Sequence, residues 1–244
     1  KPRLAQTPSH PEGMTHESPK GSRIPFRMSG ETSTEQGRST PVPREGWHLY
    51  QALRLMFRWL RWWMRLEARG LEDLPLSGPV LVVSNHDSWL DPLALVEVMM
   101  WRARPVRFLA KSTLWKWRPL AATLDGISQI PVRRGTNDRA AVGAAVEALN
   151  RGEAVGIFPE GTLSRGEHLR ARRGAARLAL ACPDARVVLA AVEGGPEVLR
   201  FPRRPRMKVE FFEPAGGQAR ADESPDELAQ RLLDEIRLRV PPTK

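Results

Sequence analysis

Three short polar clusters in the sequence carry residue types that could do chemistry. The first contains Asn85, His86 and Asp91 and directly follows an apolar run at residues 80–83. A histidine with a carboxylate five residues further on can remove a proton from a hydroxyl, because the carboxylate fixes the imidazole tautomer. Alternatively, Asp91 only supports the helix that begins at Pro92, and His86 is an ordinary loop residue. The cluster alone leaves both interpretations open.

The other two clusters also follow apolar runs. Arg133 and Arg134 lie near the end of residues 126–135, and two guanidinium groups suit bidentate recognition of a phosphate. An isolated arginine pair is, however, more often part of a solvated basic loop. Glu160 and Gly161 follow the third run, where an acceptor group lies beside a backbone that a ligand can approach closely. Taken alone, this third cluster is equally typical of a tight turn.

Short β-branched runs and helical patterns alternate along the chain after residue 66. Strands are predicted at residues 80–83, 106–110, 127–132, 154–158, 187–192 and 207–212, and helices at residues 91–100, 137–151 and 172–181. Ser224, Pro225 and Glu227 have the spacing of a capping box that opens a final helix. This alternation predicts an α/β fold, a single domain at residues 67–244 with a mostly parallel or mixed central sheet covered by helices. The three clusters follow predicted strands, and ligands bind at strand ends in such sheets.

The residues before this domain divide into two segments. Residues 1–45 are rich in Pro, Ser, Thr and Gly, so we expect a disordered tail. Residues 46–66 predict an amphipathic helix, because four arginines recur at helical spacing on one face, namely Arg54, Arg58, Arg61 and Arg65. With Trp59, Trp62 and Trp63 near the apolar remainder, this helix can lie in a membrane interface. The alternative is a helix that packs on the domain and leaves an ordinary solvated arginine face.

The net charge of +10, from 38 basic and 28 acidic side chains, predicts an anionic partner. The excess lies at residues 46–70 and 99–141, which are net +4 and +7, on either side of residues 71–98, which are net −5. We expect no nucleic-acid partner, because no recognisable binding module is present. The single cysteine, Cys182, forbids an internal disulfide. Without an apolar run of about 18 residues, we expect no membrane-spanning helix.

In their order and spacing the three clusters resemble the motifs of the lysophospholipid acyltransferase family of the PlsC type. The resemblance covers about residues 69–191. Asn85, His86 and Asp91 match the block that supplies the family's catalytic dyad. Arg134, with Arg133 as its basic neighbour, matches an arginine that implies a phosphate contact, and Glu160, Gly161 and Thr162 match a block associated with the acceptor. Lys111 is a weaker match to a lysine between the first two blocks.

This resemblance implies transfer of a fatty acyl group from a thioester, acyl-CoA or acyl carrier protein, to the free hydroxyl of a lysophospholipid. It implies His86 as general base and Asp91 as the residue that orients it. The leading acceptor is 1-acyl-sn-glycerol 3-phosphate, which would give phosphatidic acid, with no metal and no cofactor besides the thioester. We expect a peripheral protein on an anionic membrane surface at the cytoplasmic side of the cell membrane. The alternatives are a different lyso-lipid acceptor, or a CoA-independent transacylase or lipid hydrolase with the same dyad.

Two departures from the family pattern fall on acceptor-side elements. Leu163 stands where the family commonly has an arginine after Thr162, and Arg165 follows two positions later. The strand at residues 187–192 lacks the proline that the family usually carries there. These changes leave the dyad intact and leave the identity of the acceptor open.

Overall fold

The structure is a computed structural model that describes residues 54–133, 138–165, 167–195, 204–220 and 222–240. The prediction of a tail at residues 1–45 and the predicted site residue Arg134 lie outside these ranges. The helices are α1 (Arg54–Met64), α2 (Asp91–Trp101), α3 (Arg118–Gly126), α4 (Arg139–Asn150), α5 (Gly174–Ala181) and α6 (Pro225–Arg237). The strands are β1 (Glu67–Arg69), β2 (Val80–Ser84), β3 (Val106–Lys111), β4 (Ile130–Val132), β5 (Ala154–Ile157), β6 (Arg186–Glu193) and β7 (Lys208–Phe212).

The seven strands form one mixed sheet in the order β1-β7-β6-β2-β5-β3-β4. All neighbouring pairs are parallel except β6 and β7, which are antiparallel. This confirms the predicted α/β fold with a mostly parallel sheet. β2 lies between β5 and β6 and is buried along its whole length, as expected for a central parallel strand with helices on both faces. Because Val83 pairs with Ile157 across β2 and β5, the residues that follow these two strands emerge side by side.

Each face of the sheet carries its own hydrophobic core. One core lies under α1 and α2 and includes Met64 and Leu95; the other lies under α4, α5 and α6 and includes Ala145, Leu178 and Leu232. The final helix begins with the predicted capping box, since the Ser224 hydroxyl accepts the Glu227 N–H and the Glu227 carboxylate accepts the Ser224 N–H. No described helix combines the length and apolar character that crossing a bilayer requires.

Three elements depart from the sequence expectation. The strand predicted at residues 127–132 is shorter, because Ile127 instead ends helix α3 by donating its N–H to the Thr123 carbonyl at 3.0 Å. Helix α3, which has no buried residue, was not predicted from the sequence. Strand β1 has only three residues, two of them exposed, which is too short for an alternating pattern.

Candidate active site

His86 and Asp91 face each other in the turn between β2 and α2. The His86 Nδ1 lies 3.4 Å from Asp91 Oδ2, at the outer limit of hydrogen-bond distance, and such catalytic contacts often shorten when substrate binds. Asp91 Oδ2 also accepts the Ser88 backbone N–H at 2.7 Å. The carboxylate therefore does both things that the sequence allowed, since it supports the turn before the helix and faces the imidazole. The contact occupies Nδ1 and leaves Nε2 as the nitrogen that can take a proton.

Both members of this pair are removed from solvent, with exposed fractions of 6% for His86 and 1% for Asp91. Burial raises the pKa of the Asp91 carboxyl above its ordinary value, although the hydrogen bonds from His86 and Ser88 oppose the shift. Asp91 Oδ1 is buried and has no hydrogen-bond partner among the described residues. The carboxylate thus depends on its Oδ2 contacts, and an imidazolium beside it would be stabilised at short range.

Asn85 ties this turn to the neighbouring strand β6. Its side-chain amide donates to the Val192 carbonyl and accepts the Val192 N–H, both at 2.8 Å. The same amide nitrogen donates to Asp87 Oδ2 at 2.9 Å. Both polar atoms of the Asn85 side chain are therefore engaged within the protein, which places the residue in support of the turn. Its predicted contact with substrate stays a prediction.

Glu160 joins the first and third clusters directly. Its buried carboxylate accepts the His86 backbone N–H at 2.7 Å through Oε2, and Oε1 lies 3.8 Å from the guanidinium of Arg237. Burial and then the negative charge of Asp87 raise the pKa of Glu160 to about 7, against the hydrogen bond from His86 and the charge of Arg237. The third cluster is therefore more than a tight turn, because its carboxylate holds the backbone of the histidine.

A column of stacked aromatic rings packs against the face of the His86 imidazole and orients it. The His86 ring stacks on Phe158 with centroids 4.2 Å apart, and Phe158 stacks on Phe108 at 5.2 Å. Gly156 makes room for this column, since a Cβ at that position would overlap the Phe108 ring. Phe158 belongs to the third motif, whereas Phe108 and Gly156 lie in strand interiors that carry no chemical signal in the sequence.

Three further residues shape the turn and were missed by the sequence reasoning. The Ser164 hydroxyl donates to Asp87, and the Ser164 N–H donates to the His86 carbonyl at 2.7 Å. Gly195, just after β6, packs so closely that a Cβ there would lie 2.5 Å from Ser88 Cβ. Asp87 and Ser164 lie inside or beside recognised motifs, which is their only signal in the sequence. Gly195 has none, because its neighbours come from a distant segment.

An open cavity of about 700 Å³ is lined in part by Phe158 and Gly161, whereas His86, Asp91 and Glu160 are not among its lining residues. Five arginines and two aspartates are among its lining residues, namely Arg133, Arg170, Arg172, Arg173, Arg177, Asp138 and Asp226. Arg172 packs over Gly161, whose φ is 69°, so that a Cβ there would lie 2.7 Å from Arg172 Cδ. An arginine side chain therefore occupies the space beside the glycine where the sequence predicted a ligand. The basic run at residues 170–173 is a signal that the sequence reasoning overlooked.

The remaining predicted site residues lie at or after the carboxyl ends of strands β3, β4 and β5. Arg133 lines the cavity with a largely exposed side chain whose Nε is 3.5 Å from Asp138. Lys111 is exposed at the end of β3, where it pairs in register with Val132 of β4. Thr162 is exposed two residues after Glu160. Their predicted contacts with substrate, like that of Arg134, stay predictions.

The candidate site therefore combines a buried histidine, its carboxylate partner and a neighbouring arginine-lined cavity at one end of the strands of a mixed sheet. Residues 65–193 match the Acyltransferase family. The chain belongs to this family. A crystal structure of the 1-acyl-sn-glycerophosphate acyltransferase PlsC from Thermotoga maritima shares the fold, with a TM-score of 0.63 at 19% identity over 80% of this chain and 79% of that one.

Two curated relatives differ in their acceptors. The lyso-ornithine lipid O-acyltransferase of Pseudomonas aeruginosa is 37% identical over 125 residues, which cover 48% of this chain and 46% of the relative. The human 1-acyl-sn-glycerol-3-phosphate acyltransferase alpha is 37% identical over 134 residues, which cover 52% of this chain and 46% of the relative. The chain thus spans about half the length of these relatives.

Proposed function

We propose that this protein transfers a fatty acyl group from an acyl thioester to the free hydroxyl of a lysophospholipid. The leading acceptor is 1-acyl-sn-glycerol 3-phosphate, and the product is then phosphatidic acid. One observation carries the proposal: the buried His86 contacts Asp91 through its imidazole Nδ1 and Glu160 through its backbone N–H. These contacts leave the imidazole Nε2 for an acceptor hydroxyl.

In the proposed reaction His86 acts as a general base. Nε2 accepts the hydroxyl proton while the acceptor oxygen attacks the thioester carbonyl; a C–O bond forms and the C–S bond breaks. The imidazolium, stabilised by Asp91, then returns the proton to the departing thiolate. Such base assistance is typically worth about 10²–10⁴ in rate, so the pair supplies a large share of what the chemistry needs.

A covalent route is poorly supported by the side chains that would carry it. The Ser88 hydroxyl accepts the Leu90 N–H at 3.2 Å and so belongs to the turn. Cys182 is buried at the end of α5, and burial raises the pKa of its thiol, which disfavours the thiolate. Direct transfer between thioester and hydroxyl therefore remains the favoured mechanism.

The arginine-lined cavity supports an acceptor that carries a phosphate. Arg133 is paired with Asp138 and Arg173 with Asp226, the latter at 2.6 Å. The five lining arginines thus exceed the two aspartates by three positive charges. Guanidinium groups match the geometry of phosphate oxygens, and the cavity shares Phe158 with the histidine's ring column. A lyso-ornithine lipid is the second candidate acceptor, because Leu163 replaces the family's usual arginine and the relative from Pseudomonas aeruginosa bears that name.

The acceptor and donor are tested together by product identification. Purified protein is incubated with labelled acyl-CoA or acyl carrier protein thioester and with 1-acyl-sn-glycerol 3-phosphate, other lysophospholipids, lyso-ornithine lipid or glycerol 3-phosphate. We expect phosphatidic acid as the main product.

Arg172→Gln should raise KM for the phosphate acceptor about tenfold, equivalent to about 1.4 kcal/mol of lost contact, with kcat little changed.

Arg139→Gln is the matched control, since it removes an exposed arginine at the start of α4 outside the cavity lining. Preferential acylation of lyso-ornithine lipid would reject the phosphate acceptor. Transfer from a phospholipid in place of a thioester would identify a transacylase.

We also propose that α1 attaches the protein peripherally to an anionic membrane at the cytoplasmic side. One side of the helix packs on the domain through Leu60 and Met64, as the domain-packing alternative required. The outer side exposes Arg58, Arg61 and Arg65 together with two tryptophans, Trp59 and Trp62, which are 59% and 62% exposed. Basic residues and tryptophans on one exposed helix face suit the headgroup region of a bilayer.

Neutralising this face should weaken membrane binding. Because a basic residue near an anionic surface contributes about 1 kcal/mol, Arg58→Gln with Arg65→Gln should reduce the affinity for anionic vesicles about 30-fold. Trp59→Ala with Trp62→Ala should reduce binding even at high salt. Vesicle flotation is the measurement, with Arg139→Gln as control. Unchanged flotation of both double variants would exclude α1 as the anchor. Deletion of the helix is unsuitable, because Leu60 and Met64 are buried in the core.

A further inference from the structure

The C-terminal helix α6 lies beyond residues 65–193, which match the family, yet it contacts the segment that follows the third motif. Asp226 pairs with Arg173 at 2.6 Å. Gln230 accepts the Ala171 N–H at 3.1 Å, and the Arg237 guanidinium donates to the Leu169 carbonyl. Positions 226, 230 and 237 are separated by four and seven residues, so they lie on one stripe of the helix.

Unlike Asp226 and Gln230, Arg237 extends to the candidate active site. Its Nη2 lies 3.8 Å from Glu160 Oε1, and the two side chains are 16% and 2% exposed. The other oxygen of the same carboxylate accepts the His86 N–H. A chain of polar contacts therefore runs from the terminal helix through Glu160 to the backbone of the proposed base.

We propose that Arg237 is a positioning residue for the acyl-transfer reaction, which holds the ionised Glu160 carboxylate in place so that this carboxylate anchors the His86 backbone. The inference rests on the proposed function and adds a residue outside the family's motifs. In a buried site a charge pair of this kind is weakly screened, so a contact at 3.8 Å is strong enough to bias the carboxylate.

The charges around Glu160 show why the arginine matters. Asp87 and Asp91 are the negative groups that face it, His86 contributes its N–H, and Arg237 is the positive group that opposes them among the described residues. With a pKa of about 7, Glu160 is about half ionised at neutral pH. Without Arg237 the pKa rises further, and a protonated carboxyl is a weaker acceptor for the His86 N–H.

The test is the pH dependence of kcat in Arg237→Gln, Arg237→Lys and Gln230→Ala. If loss of the charge raises the Glu160 pKa by about one unit, the ionised fraction at pH 7 falls from about half to about a tenth. We therefore expect about a fivefold loss of kcat at pH 7 in Arg237→Gln, with recovery at higher pH. Arg237→Lys keeps the positive charge, so on the acidic side its pH profile of kcat should lie close to that of the wild type.

Gln230→Ala is the matched control, because it removes a contact between the same helix and the same segment without touching Glu160. Its pH profile should keep the wild-type shape. A profile of Arg237→Gln that superimposes on wild type, or an equal shift in Gln230→Ala, would overturn the inference. Wild-type protein that acylates no acceptor would instead reject the proposed function, so the two failures are distinguishable.

Discussion

Replacing His86 with alanine should reduce kcat for acyl transfer by about 10²–10⁴, the usual worth of a positioned general base. The imidazole is the group that the surrounding structure is arranged to hold, through Asp91 at Nδ1, Glu160 at the backbone and Phe158 at the ring face. Removing it leaves the thioester and the acceptor bound without a proton acceptor, so the loss should fall on kcat more than on KM.

Asp91→Asn should act in the same direction with a smaller effect, since an amide cannot stabilise the imidazolium by charge. The measurement is steady-state transfer of labelled acyl groups, with thermal unfolding and vesicle flotation to show that folding and membrane binding persist. His168→Ala is the control, because this histidine is exposed. Turnover retained by His86→Ala would rule out the general-base assignment.

Gly195→Ala should lower kcat about a hundredfold, although the residue carries no side chain that could react. A Cβ at this position would lie 2.5 Å from Ser88 Cβ and 2.6 Å from Asp91 Oδ1, so the turn that holds Asp91 must move. The contact between Asp91 and His86 is already 3.4 Å long, and a displacement of about 1 Å in such a site can cost about 10² in rate.

Gly143→Ala is the matched control for this substitution. Gly143 lies inside helix α4, and a Cβ there meets nothing within 4 Å. Alanine should raise the free energy of unfolding by about 0.5–1 kcal/mol through its higher helix propensity, without changing kcat. Thermal unfolding and kcat are measured for both variants. Full activity of Gly195→Ala would mean that the turn tolerates the methyl group and that its position does not limit the reaction.

Helix α1 shows which questions the sequence could answer and which needed the structure. The arginine spacing predicted a helix at residues 46–66, and the structure describes one at Arg54–Met64, while residues 46–53 lie outside the described part of the chain. Periodicity could not decide between an interfacial and a domain-packing helix, because both require one apolar side. Packing of Leu60 and Met64 shows that one side meets the domain, and the exposed tryptophans keep the interfacial proposal open to test.

The sequence by itself determined the α/β fold and the capping box at Ser224, because these depend on local spacing and on alternation along the chain. It offered His86 and Asp91 as a candidate pair, and the structure brought the two side chains to 3.4 Å from each other. Only the tertiary structure decided that Glu160 holds the His86 N–H, since that contact requires β2 and β5 to be neighbours in the sheet. The same is true of Gly195 beside Asp91 and of Arg237 beside Glu160. These partners are 74 to 104 positions apart in the chain, and sequence spacing carries no information about contacts that form when distant elements pack.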